Sequence, residues 1–126
     1  NKRVDVASYQ SDSGTGKEGI DELIEQTKKF LNDEDIHPKV YGAQIAFNVI
    51  PAGNILESNY TDEEIKMSFE TNKILDKDIK LSATCSRVPV LYGHSLAVHV
   101  ETEKEINLDL LIQKIKDQKG LDFFDS

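Results

Sequence analysis

The sequence is poor in the residues that build several common kinds of site. It has one cysteine, Cys85, no tryptophan and three histidines. A single cysteine excludes a disulfide framework and a zinc site with paired cysteines, and it is typical of a reducing compartment such as the cytoplasm. The histidines at positions 37, 94 and 99 have no regular ligand spacing, so the sequence predicts no metal site.

Positive charge is also scarce. The chain has 15 Lys and Arg residues against 23 Asp and Glu residues, which gives a net charge of −8. This balance argues against binding to nucleic acid or to an anionic membrane, because both need a basic surface. No apolar run approaches the roughly 20 residues of a membrane span. A small anionic ligand remains compatible with the sequence, since a few local cations outweigh the net charge at short range.

The length and the termini indicate one domain of a larger protein. A chain of 126 residues suits a single ordinary core. It begins without Met at the edge of a predicted strand, and it ends just after an apolar cluster at residues 121–124. We therefore expect residues 1–126 to be one domain cut from a longer chain.

Hydrophobic periodicity predicts the order strand, helix, strand, helix, strand, strand, helix. Strands are predicted at residues 4–8, 79–85 and 96–101. The run 41–51, the most apolar of the chain, is either a further sheet strand or a segment packed against a partner subunit. This order predicts an α+β domain with a mixed, largely antiparallel sheet covered by helices.

Three helices have clear sequence signals. The helix at 17–32 carries an apolar stripe that we expect to pack in the core: Ile20, Leu23, Ile24, Phe30 and Leu31. Thr61 and Glu64 form a capping box for the helix that runs to about residue 75. Asn107 caps the last helix, and Gly120 ends it.

The segment 84–95 joins two predicted strands and holds three candidate site residues. Cys85 shares its strand face with Ile79 and Leu81, which predicts a buried, inert thiol rather than a nucleophile. His94 follows a glycine outside the alternating pattern, and it is either an acid/base group or an ordinary hydrogen-bonded histidine. Arg87 can hold a carboxylate through two parallel hydrogen bonds.

Glu70 and Lys73 lie on one face of the second helix. Spacing alone favours an exposed ion pair that contributes little to stability. Together with Arg87 and His94, the same two residues would complement a small amino acid that carries a phosphoryl group. The residues by themselves leave both interpretations open.

Four blocks of the sequence resemble aspartate-semialdehyde dehydrogenases, in the order found in that family. They are SYQ at residues 8–10 followed by SGTGKE at 13–18, QIAFNVIP at 44–51, ETNKIL at 70–75, and SATCSRVPV at 82–90 with GHS at 93–95. The resemblance implies a fold like the C-terminal catalytic domain of the glyceraldehyde-3-phosphate dehydrogenase superfamily, which also forms most of a homodimer interface, with a tetramer as the other possible assembly.

The resemblance also implies an activity and residue roles. The enzymes of this family reduce aspartyl β-phosphate with NADPH, on the route to lysine, threonine and methionine. Gln10 matches the glutamine that orients the acyl intermediate, and His94 matches the acid/base. Arg87 matches the residue that binds the substrate carboxylate, Glu70 the one that receives the ammonium, and Lys73 the lysine near the phosphate.

The family's nucleophilic cysteine and its NADP-binding domain match nothing in this chain, so both are expected outside it. Residues 11 and 12 are more polar than the family's usual pair. Two alternatives remain. One is N-acetyl-glutamyl-phosphate reductase of the same superfamily, whose substrate has no free ammonium for Glu70. The other is a non-catalytic paralogue or a free-standing dimerisation module.

Overall fold

The computed structural model describes residues 3–75 and 78–125. Within these ranges the predicted order of elements is confirmed, with a 3-10 turn after the first strand. The bounds are β1 (Arg3–Gln10), the 3-10 turn (Asp12–Thr15), α1 (Lys17–Leu31), β2 (Ile50–Pro51), α2 (Asp62–Leu75), β3 (Leu81–Arg87), β4 (Ser95–Glu101) and α3 (Leu108–Lys116).

The strands form one mixed sheet in the order β2-β3-β1-β4. β1 pairs in parallel with β3 and antiparallel with β4, and the short β2 pairs antiparallel with β3. Gln10 consequently lies beside Arg87, and Tyr9 lies beside Ser95. The ends of β1 and β3 and the start of β4 therefore meet at one end of the sheet.

The capping signals of the sequence are confirmed in the helices. In α2, Thr61 Oγ1 accepts the Glu64 backbone N–H at 3.2 Å, and Glu64 Oε2 accepts the Thr61 N–H at 2.9 Å. The second carboxylate oxygen of Glu64 accepts the backbone N–H of Cys85 at 3.1 Å. In α3, the side chain of Asn107 accepts the N–H of Leu110. The capping box thus also holds α2 against β3.

The prediction for the apolar stripe of α1 is wrong for most of its members. Ile24, Phe30 and Leu31 are exposed, and Leu23 alone of the five is buried. The buried residues of the helix are Gly19, Glu22, Leu23 and Gln26. The helix therefore turns a partly polar face inward.

The apolar run at 41–51 forms a strand only at Ile50–Pro51, so the strand alternative is wrong for the rest of it. Ile45 and Ala46 are fully buried, and both backbone N–H groups donate to Gln26 Oε1, at 2.8 and 3.1 Å. The carboxylate of Glu22 accepts the N–H of Val40 at 2.5 Å in the same way. Side chains of α1 replace the missing strand partner, because buried backbone donors must be satisfied.

Helices cover the sheet only in part. The buried cluster is small, with Leu23, Ile45 and Ala46 at its centre. α2 packs on β3, whereas every residue of β4 is exposed. Apolar side chains on β4 and α3 therefore remain accessible, among them Leu96, Val98, Val100, Leu108 and Leu110.

Candidate functional site

Three of the predicted site residues meet where β1 and β3 end and β4 begins. Gln10 is the last residue of β1, Arg87 is the last residue of β3, and His94 directly precedes β4. The parallel register of β1 and β3 brings the first two side by side. The sheet topology therefore assembles groups that lie far apart in sequence.

A cleft of about 320 Å³ opens between this end of the sheet and α2. Gln10, Glu70 and His94 all line it, as do Ser8, Glu63, Lys66, Met67 and Leu96. The four residues from α2 share one helix face, because Glu63 and Glu70 lie three or four positions from Lys66 and Met67. The sequence predicted Glu70 on this face and gave no role to Glu63 and Lys66, although they lie at helical spacing from it.

Glu63 orients the side chain of Gln10. Its Oε2 accepts a hydrogen bond from Gln10 Nε2 at 3.4 Å, and its Oε1 lies 3.5 Å from the ammonium of Lys66. The amide nitrogen of Gln10 is engaged in this way, and its amide oxygen has no side-chain hydrogen bond within the described residues. The cleft thus offers a defined acceptor at Gln10 and a separate carboxylate at Glu70.

His94 is held through one of its ring nitrogens. The backbone N–H of Ser11 donates to Nδ1 at 3.0 Å, and Ser11 Oγ lies 3.1 Å from the same nitrogen. Ser11 is fully buried. The opposite nitrogen, Nε2, is therefore the one left for a substrate. Sequence reasoning noted the polar residue at position 11 but assigned it no role.

Ser11 also fixes Arg87, through its backbone carbonyl oxygen. Arg87 Nη1 donates to the carbonyl oxygen of Ser11 at 2.6 Å, and its guanidinium carbon lies 5.4 Å from the centre of the Tyr41 ring. Within residues 3–75 and 78–125, this is the one hydrogen bond of the Arg87 side chain. The remaining N–H groups of the guanidinium are available for a carboxylate.

Gly14 lies directly against both groups. A β-carbon at this position would be 3.3 Å from Cε1 of His94 and 3.6 Å from Nη1 of Arg87. The first distance is closer than a β-carbon normally approaches a neighbour, so a side chain here would displace the imidazole. The glycine keeps the space between the imidazole and the guanidinium open.

Cys85 is buried, as the sequence predicts, with an exposed fraction of 2%. Burial raises the pKa of its thiol. A thiol that is both inaccessible and hard to ionise is a poor nucleophile. Cys85 therefore packs beneath the cleft and supplies no reactive group to it.

Asp12 is a buried carboxyl group beside the site. It is fully buried, and neither of its oxygens has a hydrogen-bond partner among the described residues. Burial raises the pKa of Asp12, more than the nearby Tyr41 hydroxyl and the charge of Arg87 lower it. The Tyr41 hydroxyl itself donates to Thr15 Oγ1 at 3.0 Å.

Lys73 is exposed and does not line the cleft. It forms no ion pair with Glu70 in the part of the chain that the structure describes, so the exposed-pair interpretation is wrong. His37 lines a different cavity, of about 540 Å³, between α1 and the loop that follows it. No cluster of three metal-ligating side chains occurs within the described ranges, and no helix there is long and apolar enough to cross a membrane.

The fold and the cleft define a class of protein: an α+β domain with an imidazole and carboxylates in one cleft and a guanidinium close to the imidazole. Comparison with known proteins identifies the family within this class. The profile of the family described as semialdehyde dehydrogenase, dimerisation domain, matches residues 1–125. The chain belongs to this family, and the resemblance seen in the sequence is confirmed.

Curated relatives and solved structures agree with this assignment. The chain is 45% identical over 125 residues to aspartate-semialdehyde dehydrogenase 2 of Vibrio cholerae, covering 98% of this chain and 37% of the relative. It is 50% identical over 109 residues to the aspartate-semialdehyde dehydrogenase of Legionella pneumophila, covering 85% of this chain and 31% of the relative. The chain thus spans about a third of the length of these proteins.

The crystal structure of Vibrio cholerae aspartate-semialdehyde dehydrogenase II complexed with ASA superposes with a TM-score of 0.94 at 44% identity, over 98% of this chain and 37% of that one. The enzyme of Candida albicans with NADP is more distant, with a TM-score of 0.54 at 19% identity over 93% of this chain and 28% of that one. The second match supports the fold alone.

Proposed function

We propose that residues 1–126 are the substrate-binding and dimerisation domain of an NADP-dependent aspartate-semialdehyde dehydrogenase with two domains. The parent enzyme converts aspartyl β-phosphate, NADPH and a proton to aspartate semialdehyde, phosphate and NADP. The observation that carries this proposal is the convergence of Gln10, Glu70 and His94 on one cleft, with Arg87 joined to His94 through Ser11.

Each group suits one part of the substrate. The free edge of the Arg87 guanidinium binds the α-carboxylate, and Glu70 binds the α-ammonium. With both charged ends held, the reacting carbonyl is fixed in place, and catalysis by positioning follows. Gln10 orients the acyl intermediate, and Nε2 of His94 exchanges a proton with the reacting group. Lys73 does not line the cleft in this chain, so its role near the phosphate is proposed from the family resemblance alone.

The nucleophilic thiol and the dinucleotide site belong to the other domain in this proposal. Cys85 is buried, and the turn at residues 13–16 lacks the glycine spacing of a dinucleotide fingerprint. When bound by that domain, NADPH supplies the hydride. The residues of this chain bind the amino acid substrate and carry out the proton transfer.

The exposed apolar side chains support assembly into a homodimer. Leu96, Val98 and Val100 on β4 are between 49% and 58% exposed, and Leu108 and Leu110 on α3 are similarly accessible. Apolar surface of this extent normally lies against another chain or domain. A pair of such dimers would form the tetramer. We place the enzyme in the cytoplasm because its one described cysteine is a free, buried thiol.

A substrate panel on the full-length protein tests the proposal. We expect NADP- and phosphate-dependent oxidation of aspartate semialdehyde, and no oxidation of N-acetyl-glutamate semialdehyde, because Glu70 then faces a neutral amide. Glu70→Gln should raise KM for aspartate semialdehyde, with Glu57→Gln on an exposed loop as the control. Preference for the acetylated compound would indicate N-acetyl-glutamyl-phosphate reductase. Inactivity on both would indicate a non-catalytic paralogue or a dimerisation module.

A further inference from the structure

Ser11 forms hydrogen bonds to both His94 and Arg87. Its N–H and its hydroxyl meet Nδ1 of His94, and its carbonyl oxygen accepts from Arg87. These three contacts come from different atoms, so a side-chain substitution removes only the hydroxyl. The role of the hydroxyl can therefore be separated from that of the backbone.

The backbone contact alone would restrict the imidazole to one form. A peptide N–H only donates, so Nδ1 carries no proton while it accepts from Ser11 N–H. The neutral ring then has its proton on Nε2 and can only donate to a substrate. To accept a proton at Nε2, the ring must carry its other proton on Nδ1, where the peptide group offers no acceptor.

The Ser11 hydroxyl supplies the acceptor that the peptide group lacks. A hydroxyl both donates and accepts, and Ser11 Oγ lies 3.1 Å from Nδ1 and 3.1 Å from Ser13 Oγ. When Nδ1 carries no proton, the hydroxyl donates a hydrogen bond to it. When Nδ1 is protonated, the hydroxyl accepts that hydrogen bond and turns its own hydrogen toward Ser13. No proton leaves Ser11 in either arrangement.

We propose that Ser11 is a positioning residue that lets His94 act both as an acid and as a base, by pairing with Nδ1 in either protonation state. The inference rests on the proposed function, because it concerns the proton transfer assigned to His94. The charged groups around the imidazole are Arg87 from β3 and Glu63, Lys66 and Glu70 from α2. A change at Ser11 leaves all four in place.

The test compares Ser11→Ala, Ser11→Cys and Ser11→Thr in the full-length protein. Alanine removes the hydroxyl, cysteine fills its space with a weak donor and acceptor, and threonine keeps it. We expect kcat for aspartate semialdehyde oxidation to fall about tenfold in the first two variants and to recover in the third. KM should not change, since the carbonyl that holds Arg87 is retained. The exposed Ser82→Ala is the control.

The pH dependence and the state of the ring give two further readouts. In Ser11→Ala the acidic limb of the kcat profile should move to lower pH, because the doubly protonated ring loses its acceptor. Nitrogen NMR of His94 in the same protein should show a neutral ring locked with its proton on Nε2. Recovery in Ser11→Cys, or identical ring signals with and without the hydroxyl, would overturn the inference. A wild-type protein that lacks the activity contradicts the proposed function instead, and the ring signals still decide the role of Ser11.

Discussion

Replacement of Arg87 by lysine separates a positive charge from a positioned guanidinium. The guanidinium donates to the Ser11 carbonyl at 2.6 Å, lies over the Tyr41 ring, and keeps its other N–H groups for a carboxylate. Lysine retains the charge but cannot make two parallel bonds to a carboxylate. One lost charge-assisted hydrogen bond costs about 1.5–3 kcal/mol. Loss of the ring contact adds about 0.5–1 kcal/mol.

The sum is about 2–4 kcal/mol, which corresponds to a fall in kcat/KM of about 30- to 700-fold at 1.4 kcal/mol per factor of ten. The assay is NADPH formation from aspartate semialdehyde and phosphate by the full-length protein, with KM and kcat determined separately. Arg3→Lys is the matched control, because Arg3 pairs with Asp5 at the opposite end of β1. A KM for Arg87→Lys within twofold of the wild type would refute the role of Arg87 as the carboxylate-binding residue.

Two further predictions concern the support of the site. Asp12→Asn should stabilise the protein by about 1 kcal/mol near neutral pH, because it removes a buried, unpartnered charge. The raised pKa of Asp12 means that folding favours the protonated acid. The gain in the free energy of unfolding should therefore shrink as the pH falls toward the ordinary pKa of 3.8. A gain that does not vary between pH 4 and 7 in urea unfolding would contradict this. Glu64→Gln leaves one amide nitrogen facing the Thr61 or Cys85 N–H, so it should destabilise by about 1–3 kcal/mol. Thermal unfolding beside Glu57→Gln measures the effect, and equal midpoints would contradict it.

The parts of the fold that sequence reasoning predicted correctly are those with local signals. The alternation in β3 and the capping residues Thr61 and Asn107 act within a few positions, so they can be recognised without knowledge of the rest of the molecule. The strand alternative for the run at 41–51 fails before Ile50 because the backbone donors of Ile45 and Ala46 are satisfied by Gln26, a residue about 20 positions away. Periodicity carries no information about such a contact.

The misassigned stripe of α1 has a different cause. Ile24, Phe30 and Leu31 are apolar at helical spacing, yet they lie exposed in the isolated chain. An apolar stripe indicates that a helix face is buried somewhere, but it does not say whether the partner is the same chain. In a domain that belongs to a dimerisation family, part of the apolar surface is kept for other chains.

For the candidate site, the sequence predicted Lys73, which does not line the cleft, and four further residues from their chemistry or the family resemblance: Gln10, Glu70, Arg87 and His94. The structure brings three of them into one cleft and links the fourth through Ser11. Ser11 itself was out of reach of sequence reasoning, because two of its contacts, the N–H and the carbonyl oxygen, are made by backbone atoms. Backbone contacts depend on topology and leave no residue signature.

The most direct measurement of the central claim compares His94→Asn with Cys85→Ser in the full-length protein. If this chain supplies the acid/base group and its thiol only packs, His94→Asn should lower kcat about 10²- to 10⁴-fold. Cys85→Ser, in a protein shown to be folded, should keep roughly half of the wild-type rate or more. Loss of turnover in Cys85→Ser together with normal turnover in His94→Asn would contradict the account.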